Sequence, residues 1–261
     1  MKLFRLLRLL RCAAGGVTPP GMETVETVRR DAFPADDTAR HGALRDRLWA
    51  GARRAAAEFP EIQLPRAGVG RLIHRRYRVT FVADATPCGL IETLRAEPNA
   101  ACHPALARFK KTRGDAGAME VGDRYLISIT APWDGPVQVI EADDAGFALV
   151  TLEGHLEAGF IRFGADAPGG ADGPGERSFA IESWATSGGP LVWFTYTVLG
   201  VTRRMQTAMW RYYCLRAAQL SGATDVGPLT LTTEAGQTPG QLPSDENLVR
   251  ETPIRETPAD A

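Results

Sequence analysis

From Arg124 to Leu199 the sequence breaks into short runs of alternating apolar and polar residues, and from Val201 to Leu220 it switches to a single helical period. Few folds accommodate that order. Tyr125, Ile127 and Ile129 alternate with Leu126 and Ser128 over a strand at 124–131, and Pro132-Trp-Asp-Gly135-Pro136 follows as a hairpin turn with Asp-Gly chemistry. A return strand covers 137–142, Asp143-Asp144-Ala-Gly146 turns the chain again, and strands follow at 147–155, 159–164, 177–186 and 191–199. Closely spaced strands separated by turn residues specify an antiparallel meander. The segment 201–220 then reads as one helix of roughly 30 Å. Its expected inner face carries Val201, Met205, Ala208, Met209, Tyr212 and Leu215 or Arg216, and Ser221-Gly222 ends it.

Upstream, Tyr77, Val79 and Phe81 alternate with Arg76, Arg78 and Thr80, the pattern of a half-buried strand. Thr86-Pro87 starts a short helix through Leu94, with Leu90, Ile91 and Leu94 on one face. A second short helix is expected over 104–111, presenting Leu106 and Phe109. Before these, Asp37 or Thr38 caps a helix running to Glu58, whose stripe Leu44, Leu48, Ala52, Ala55 and Phe59 suits packing on the main domain. The expected organisation is an amphipathic segment and linker over 1–36, an N-terminal helical segment over 37–65, a main domain over 66–221, and a disordered acidic tail over 222–261. Many Pro, Thr and Glu residues and few large apolar ones in the tail leave too little surface to offset chain ordering.

The chain's 261 residues carry a net charge of −1, which gives no overall pull toward nucleic acid or membrane. Residues 1–80 hold sixteen Lys/Arg against eight Asp/Glu, and 221–261 hold two against seven. Arg5, Arg8 and Arg11 interrupt the leucines of residues 1–12 too often for a secretory core and leave a segment able to touch an anionic membrane surface. Cys12, Cys88, Cys102 and Cys214 form no zinc-type spacing, so reduced thiols in a cytoplasmic protein are expected. His41, His74, His103 and His155 lie in unrelated segments, and the glycine-rich stretch 168–173 lacks a following Lys-Ser/Thr. No metal, no cofactor and no nucleic-acid partner is expected.

Strand, two short helices, six strands and a long final helix is an order that resembles the helix-grip fold of the START-like (SRPBCC, birch-pollen-allergen-like) superfamily. The stretches His74-Arg-Arg-Tyr-Arg-Val79, 107–114, Pro132-Trp-Asp-Gly-Pro-Val137, 151–159, Ile181-Glu-Ser-Trp184 and Met205-Gln206 with Trp210 are similar to an actinobacterial domain-of-unknown-function family placed there. The resemblance spans about 66–221. It implies an α+β fold, a curved antiparallel sheet of about seven strands around the final helix, with a cavity between them for an apolar small molecule.

Chemically capable side chains crowd at 151–159. Read as one extended strand, 147–155 places Phe147, Leu149, Thr151, Glu153 and His155 on a single face, apolar at one end and polar at the other. Glu182 brings a second carboxylate if its strand lies alongside. Three readings follow. The first is binding or transport of an apolar or amphipathic, lipid-like molecule, touched by Thr151, Glu153, His155, Glu182, Trp184, Trp193, Met205, Met209 and Tyr212. The second is an enzyme (cyclase, isomerase or hydrolase) using His155 with Glu153 or Glu182 as acid and base. The third is a membrane- or protein-interaction module working through the basic N-terminus. Gly154 and Gly159 bracket the motif as a tight hairpin would, which also suits a structural role for His155 and Glu157.

Overall fold

Strand β2 (Val69–Ala83) illustrates why the sheet forms. Its odd-numbered Tyr77, Val79 and Phe81 are buried, while the even-numbered Arg76, Arg78 and Thr80 sit on the opposite face. The structure, a computed structural model, describes residues 23–30, 38–129, 134–168, 175–188 and 201–236. The remaining elements are β1 (Thr24–Arg30), α1 (Thr38–Glu58), α2 (Pro87–Ala96), β3 (Ala107–Arg113), β4 (Arg124–Ile129), β5 (Asp134–Asp143), β6 (Gly146–Thr151), β7 (Glu157–Asp166), β8 (Gly175–Ser187), α3 (Val201–Leu220), β9 (Asp225–Val226) and β10 (Leu229–Gly236). Among the described residues the strands join one sheet in the order β1-β10-β2-β8-β7-β6-β5-β4-β3, with β9 paired to β2. Every pairing is antiparallel except β1 with β10. Strands β2 to β8 are the seven of a helix-grip α+β fold.

Registers slip between Val69 and Ile73, Lys111 and Arg113, and Val139 and Glu141. Such irregularities bend strands and increase twist, and the sheet curves. The curve gives it two unlike faces. On the inner face Tyr77, Val79, Phe147, Phe163, Phe179 and Ile181 pack against Met209, Trp210, Tyr213, Cys214, Ala217 and Ala218 of α3. On the outer face Leu72, Ala148, Val150, Phe160 and Trp184 meet Leu48 and Ala52 of α1. Strand β6, buried at every position, therefore serves two cores.

Helix α2 begins where Thr86 Oγ1 accepts the Gly89 N–H at 3.1 Å, with Pro87 in the first turn. The helix expected over 104–111 is absent; residues 107–113 form β3 instead. Ala107 and Phe109 point inward, Arg108 and Lys110 outward, and Phe109 pairs opposite Ile127. Asn99 secures this strand, accepting the Phe109 N–H at 2.7 Å and donating to its carbonyl at 3.0 Å.

Two further differences come from strands supplied at the ends. Residues 229–236 were expected to be disordered but form β10 on the edge of β2, with Leu229 and Leu231 buried in the inner core. Residues 24–30, expected as linker, form β1 beside it. In β10 the period-two pair Leu229 and Leu231 outweighs the polar composition, whereas Val25 and Val28 of β1 are both exposed and that strand joins through its backbone pairing with β10. The amphipathic stretch 1–12 and the strand expected at 191–199 lie outside the described residues. Cys88, Cys102 and Cys214 are free thiols.

Candidate functional site

Strand β6 ends at Thr151, and the turn that follows builds the polar end of a cavity. Thr151 Oγ1 accepts the Gly159 N–H at 2.9 Å and lies 3.1 Å from the Gln63 carbonyl and 3.2 Å from that of Gly159. That hydroxyl ties the two ends of the turn together. Residues 61–63 strap the turn from outside, with the Gln63 N–H donating to the Thr151 carbonyl and the Glu153 N–H to the Glu61 carbonyl, at 2.8 and 2.7 Å. Gly154 adopts φ +91°, a left-handed conformation that reverses the chain and sends His155 back over the sheet.

The His155 Nδ1 lies 2.9 Å from the Glu157 amide nitrogen. The Glu157 carbonyl oxygen lies 3.0 Å from the same ring nitrogen, so an unprotonated Nδ1 accepts the Glu157 N–H and a protonated one donates to the Glu157 carbonyl. The ring fits because residue 135 is glycine: a Cβ there would lie 2.8 Å from both Cδ2 and Nε2 of His155. Burial pulls the His155 pKa down to about 4, against an opposing contribution from the Glu157 backbone, so the ring is uncharged near neutral pH.

The cavity lies between the inner face and α3, with a volume of about 90 Å3. Its apolar wall includes Ile73, Ile127, Val137, Ile161, Met209 and Trp210, and its polar end Arg75, His155, Glu157, Ser183 and Gln206. The charged groups here are joined through one amide. Arg75 Nη1 donates to Gln206 Oε1 at 2.7 Å, and Gln206 Nε2 lies 3.2 Å from each Glu157 carboxylate oxygen. Burial raises the Glu157 pKa, while the Arg75 charge and the Gln206 hydrogen bond pull it back. The arrangement offers one acid, one neutral imidazole and an internally engaged cation around an apolar space.

Among the expected site residues, Thr151, His155 and Met209 line this cavity. Glu153 does not: the strand stops at Thr151, and Glu153 is exposed in the turn. Glu182 lies on the outer face, because it has even parity on β8 while Ile181 and Ser183 face inward. There it meets His74 and Arg76, each at 3.5 Å. Trp184 shares that outer parity, stacking on His74 at 4.6 Å and packing on Phe160 at 5.5 Å beneath α1. Tyr212 is rotated off the inner stripe and meets His103 edge-on at 4.7 Å; Trp210 and Tyr213 take the inward positions. Trp193 and the Met205 side chain lie outside the described residues.

Arg75, Glu157 and Gln206 were missed as site residues. A signal existed for each. Arg75 has the inward parity of Tyr77 and Val79, Glu157 lies within the 151–159 motif, and Gln206 precedes Trp210 and Tyr213 by helical steps of four and seven. Among the described residues no cluster of His, Cys, Asp and Glu is suited to hold a metal ion, and no helix is long and apolar enough to cross a membrane.

No protein-family model matches the chain, and no curated protein matches it. Solved structures do. A KanY protein is 10% identical, covering 59% of this chain and 99% of its own, with a TM-score of 0.41. Major latex-like protein 151 from Panax ginseng is 14% identical over 52% of this chain and 97% of its own, with a TM-score of 0.33. Truncated norcoclaurine synthase from Thalictrum flavum is 15% identical over 58% and 96%, with a TM-score of 0.34.

Proposed function

We propose that this chain binds an apolar or amphipathic small molecule, or the end of a longer one, in the space between sheet and α3. The observation that carries this reading is the cavity itself: branched aliphatic residues, Met209 and Trp210 form its wall, and its few polar groups gather at one end. A volume of about 90 Å3 admits roughly six to nine water molecules, or a ligand on the order of ten non-hydrogen atoms. Removing a ligand of that size from water supplies affinity without chemistry, at about 25 cal/mol per Å2 of apolar surface.

An acid–base pair of His155 with Glu153 or Glu182 finds no support in this geometry, since one carboxylate is in solvent and the other across the sheet. The test is native mass spectrometry of gently purified protein, joined to titration with naphthalene followed by its fluorescence. Binding is expected, and Ser183→Phe, which places a ring in the cavity, is expected to abolish it while the protein stays folded. No retained mass together with no naphthalene binding overturns the reading, as does binding that survives Ser183→Phe.

A further inference from the structure

We propose that the cavity limits its ligand by length: it holds an apolar chain of roughly ten carbons whose polar end stays at the mouth, with Phe163 at the floor. This inference rests on the small-molecule reading above and names the class of molecule the space admits, a medium-length amphiphile rather than a long-chain lipid.

Cross-strand registers lay the cavity out in rows along β7 and β8. Glu157 stands opposite Ser187, Gly159 opposite Ala185 and Ile161 opposite Ser183, and all six line the space. The next inward pair, Phe163 opposite Ile181, does not line it. Exposure falls in the same direction. Glu157, Ser187 and Gln206 are half-buried, whereas Phe163 and Ile181 are 0% exposed. The rows therefore run from a mouth to a closed end. From Glu157 to Ile161 they cover about 13 Å of strand. That length and the volume of about 90 Å3 both suit a chain of roughly ten carbons.

The closed end is solid because aromatic rings fill it. Phe163 stacks on Phe147, its cross-strand partner, at 4.7 Å, and meets Trp210 at 5.4 Å and Tyr213 at 5.2 Å. Tyr77, opposite Ile181, extends the same row at 1% exposure. Past this row α3 packs on the sheet through Ala217 and Ala218, both 0% exposed, whose small side chains leave no gap to fill. Helix α3 is about 30 Å long, yet of its described side chains only Gln206, Met209 and Trp210 line the space. A polar group pushed down to the aromatic row loses its water, which is costly, so an amphiphile enters with its chain first.

Calorimetric titration of the full chain with 1-hexanol, 1-octanol, 1-decanol, 1-dodecanol and 1-tetradecanol tests the limit. Neutral alcohols keep the charges of Arg75 and Glu157 out of the comparison. Affinity is expected to rise roughly threefold to fourfold with each methylene up to about ten carbons, and by roughly 1.5-fold or less per methylene beyond that. Phe163→Ala removes the floor ring and is expected to carry the rise on to roughly twelve carbons or more. A rise that continues unbroken from decanol to tetradecanol in the wild-type chain overturns the proposal. So does a break that a folded Phe163→Ala leaves in place. Naphthalene binding without binding of any alcohol refutes the length limit and leaves the small-molecule reading intact; failure of naphthalene and alcohols alike removes both. The wild-type series needs no variant and decides the limit whatever Phe163→Ala does to folding.

Discussion

Replacing His74 by leucine probes how the sheet holds β10. His74 Nδ1 lies 3.1 Å from Glu234 on β10, and Nε2 lies at an ion-pair distance of 3.5 Å from Glu182 on β8. Burial lowers the His74 pKa, but the hydrogen bonds and charges of the two carboxylates outweigh it and leave the pKa raised. His74, Glu182 and Glu234 are 7%, 5% and 7% exposed, so solvent screens them little. Arg76 also contacts Glu182, at 3.5 Å. Leucine leaves two buried carboxylates without the imidazolium between them, and breaking a buried pair in this way costs about 3–5 kcal/mol. At about 2–4 °C per kcal/mol for a chain of this size, the melting temperature falls by roughly 6–20 °C. The assay is differential scanning calorimetry at pH 6. The triple variant His74→Leu, Glu182→Gln, Glu234→Gln removes the imidazolium and both carboxylates together, leaving the partly exposed Arg76, and is expected to recover most of the loss. The pH dependence has a definite sign. A raised folded pKa means the contribution is complete below the unfolded value of about 6.5 and disappears as pH rises through the folded value. Wild type therefore loses a stabilising increment on the alkaline side that the triple variant does not lose. A His74→Leu melting temperature within about 3 °C of wild type, or an equal drop in the triple variant, refutes the reasoning.

Two packing predictions accompany it. Gly159→Ala sets a Cβ 2.1 Å from the Trp184 carbonyl oxygen and 2.7 Å from the Ala185 Cα, both backbone atoms of the paired strand. Unfolding in urea is expected to show a loss of about 1–3 kcal/mol, and an unchanged midpoint counts against the β7–β8 register. Leu231→Ala is expected to cost about 2–5 kcal/mol in the same assay, because Leu231 is 2% exposed within the inner core. A loss within about 0.5 kcal/mol, the range of a substitution on an exposed surface, rejects the pairing of β10 with β2.

Much of the architecture was legible in local periodicity. The alternation in 69–83, 124–129 and 147–151, the Thr86-Pro87 start of α2 and the twenty-residue final helix all follow from residues near one another in the chain. Those patterns depend on backbone geometry over a few residues, which sequence alone expresses. Segment 107–113 misled because Leu106 and Phe109 also fit a helical step, and only the partner strand at 124–129 decides between the two periods. Segment 229–236 misled because its polar composition hid two leucines placed to seal the edge beside β2.

By itself the sequence determined the set of building blocks and the neighbourhood of the site: strands in meander order, a closing helix, and a polar turn at 151–159 containing His155 and Glu157. The tertiary structure decided which chemistry meets. Glu182 and Trp184 lie across the sheet from His155, while Arg75, Glu157 and Gln206, far apart in the chain, converge in one hydrogen-bonded series. The physical reason is register. A strand fixes only that neighbouring side chains point to opposite faces, and cross-strand pairing together with the seat of α3 determines which face encloses the cavity.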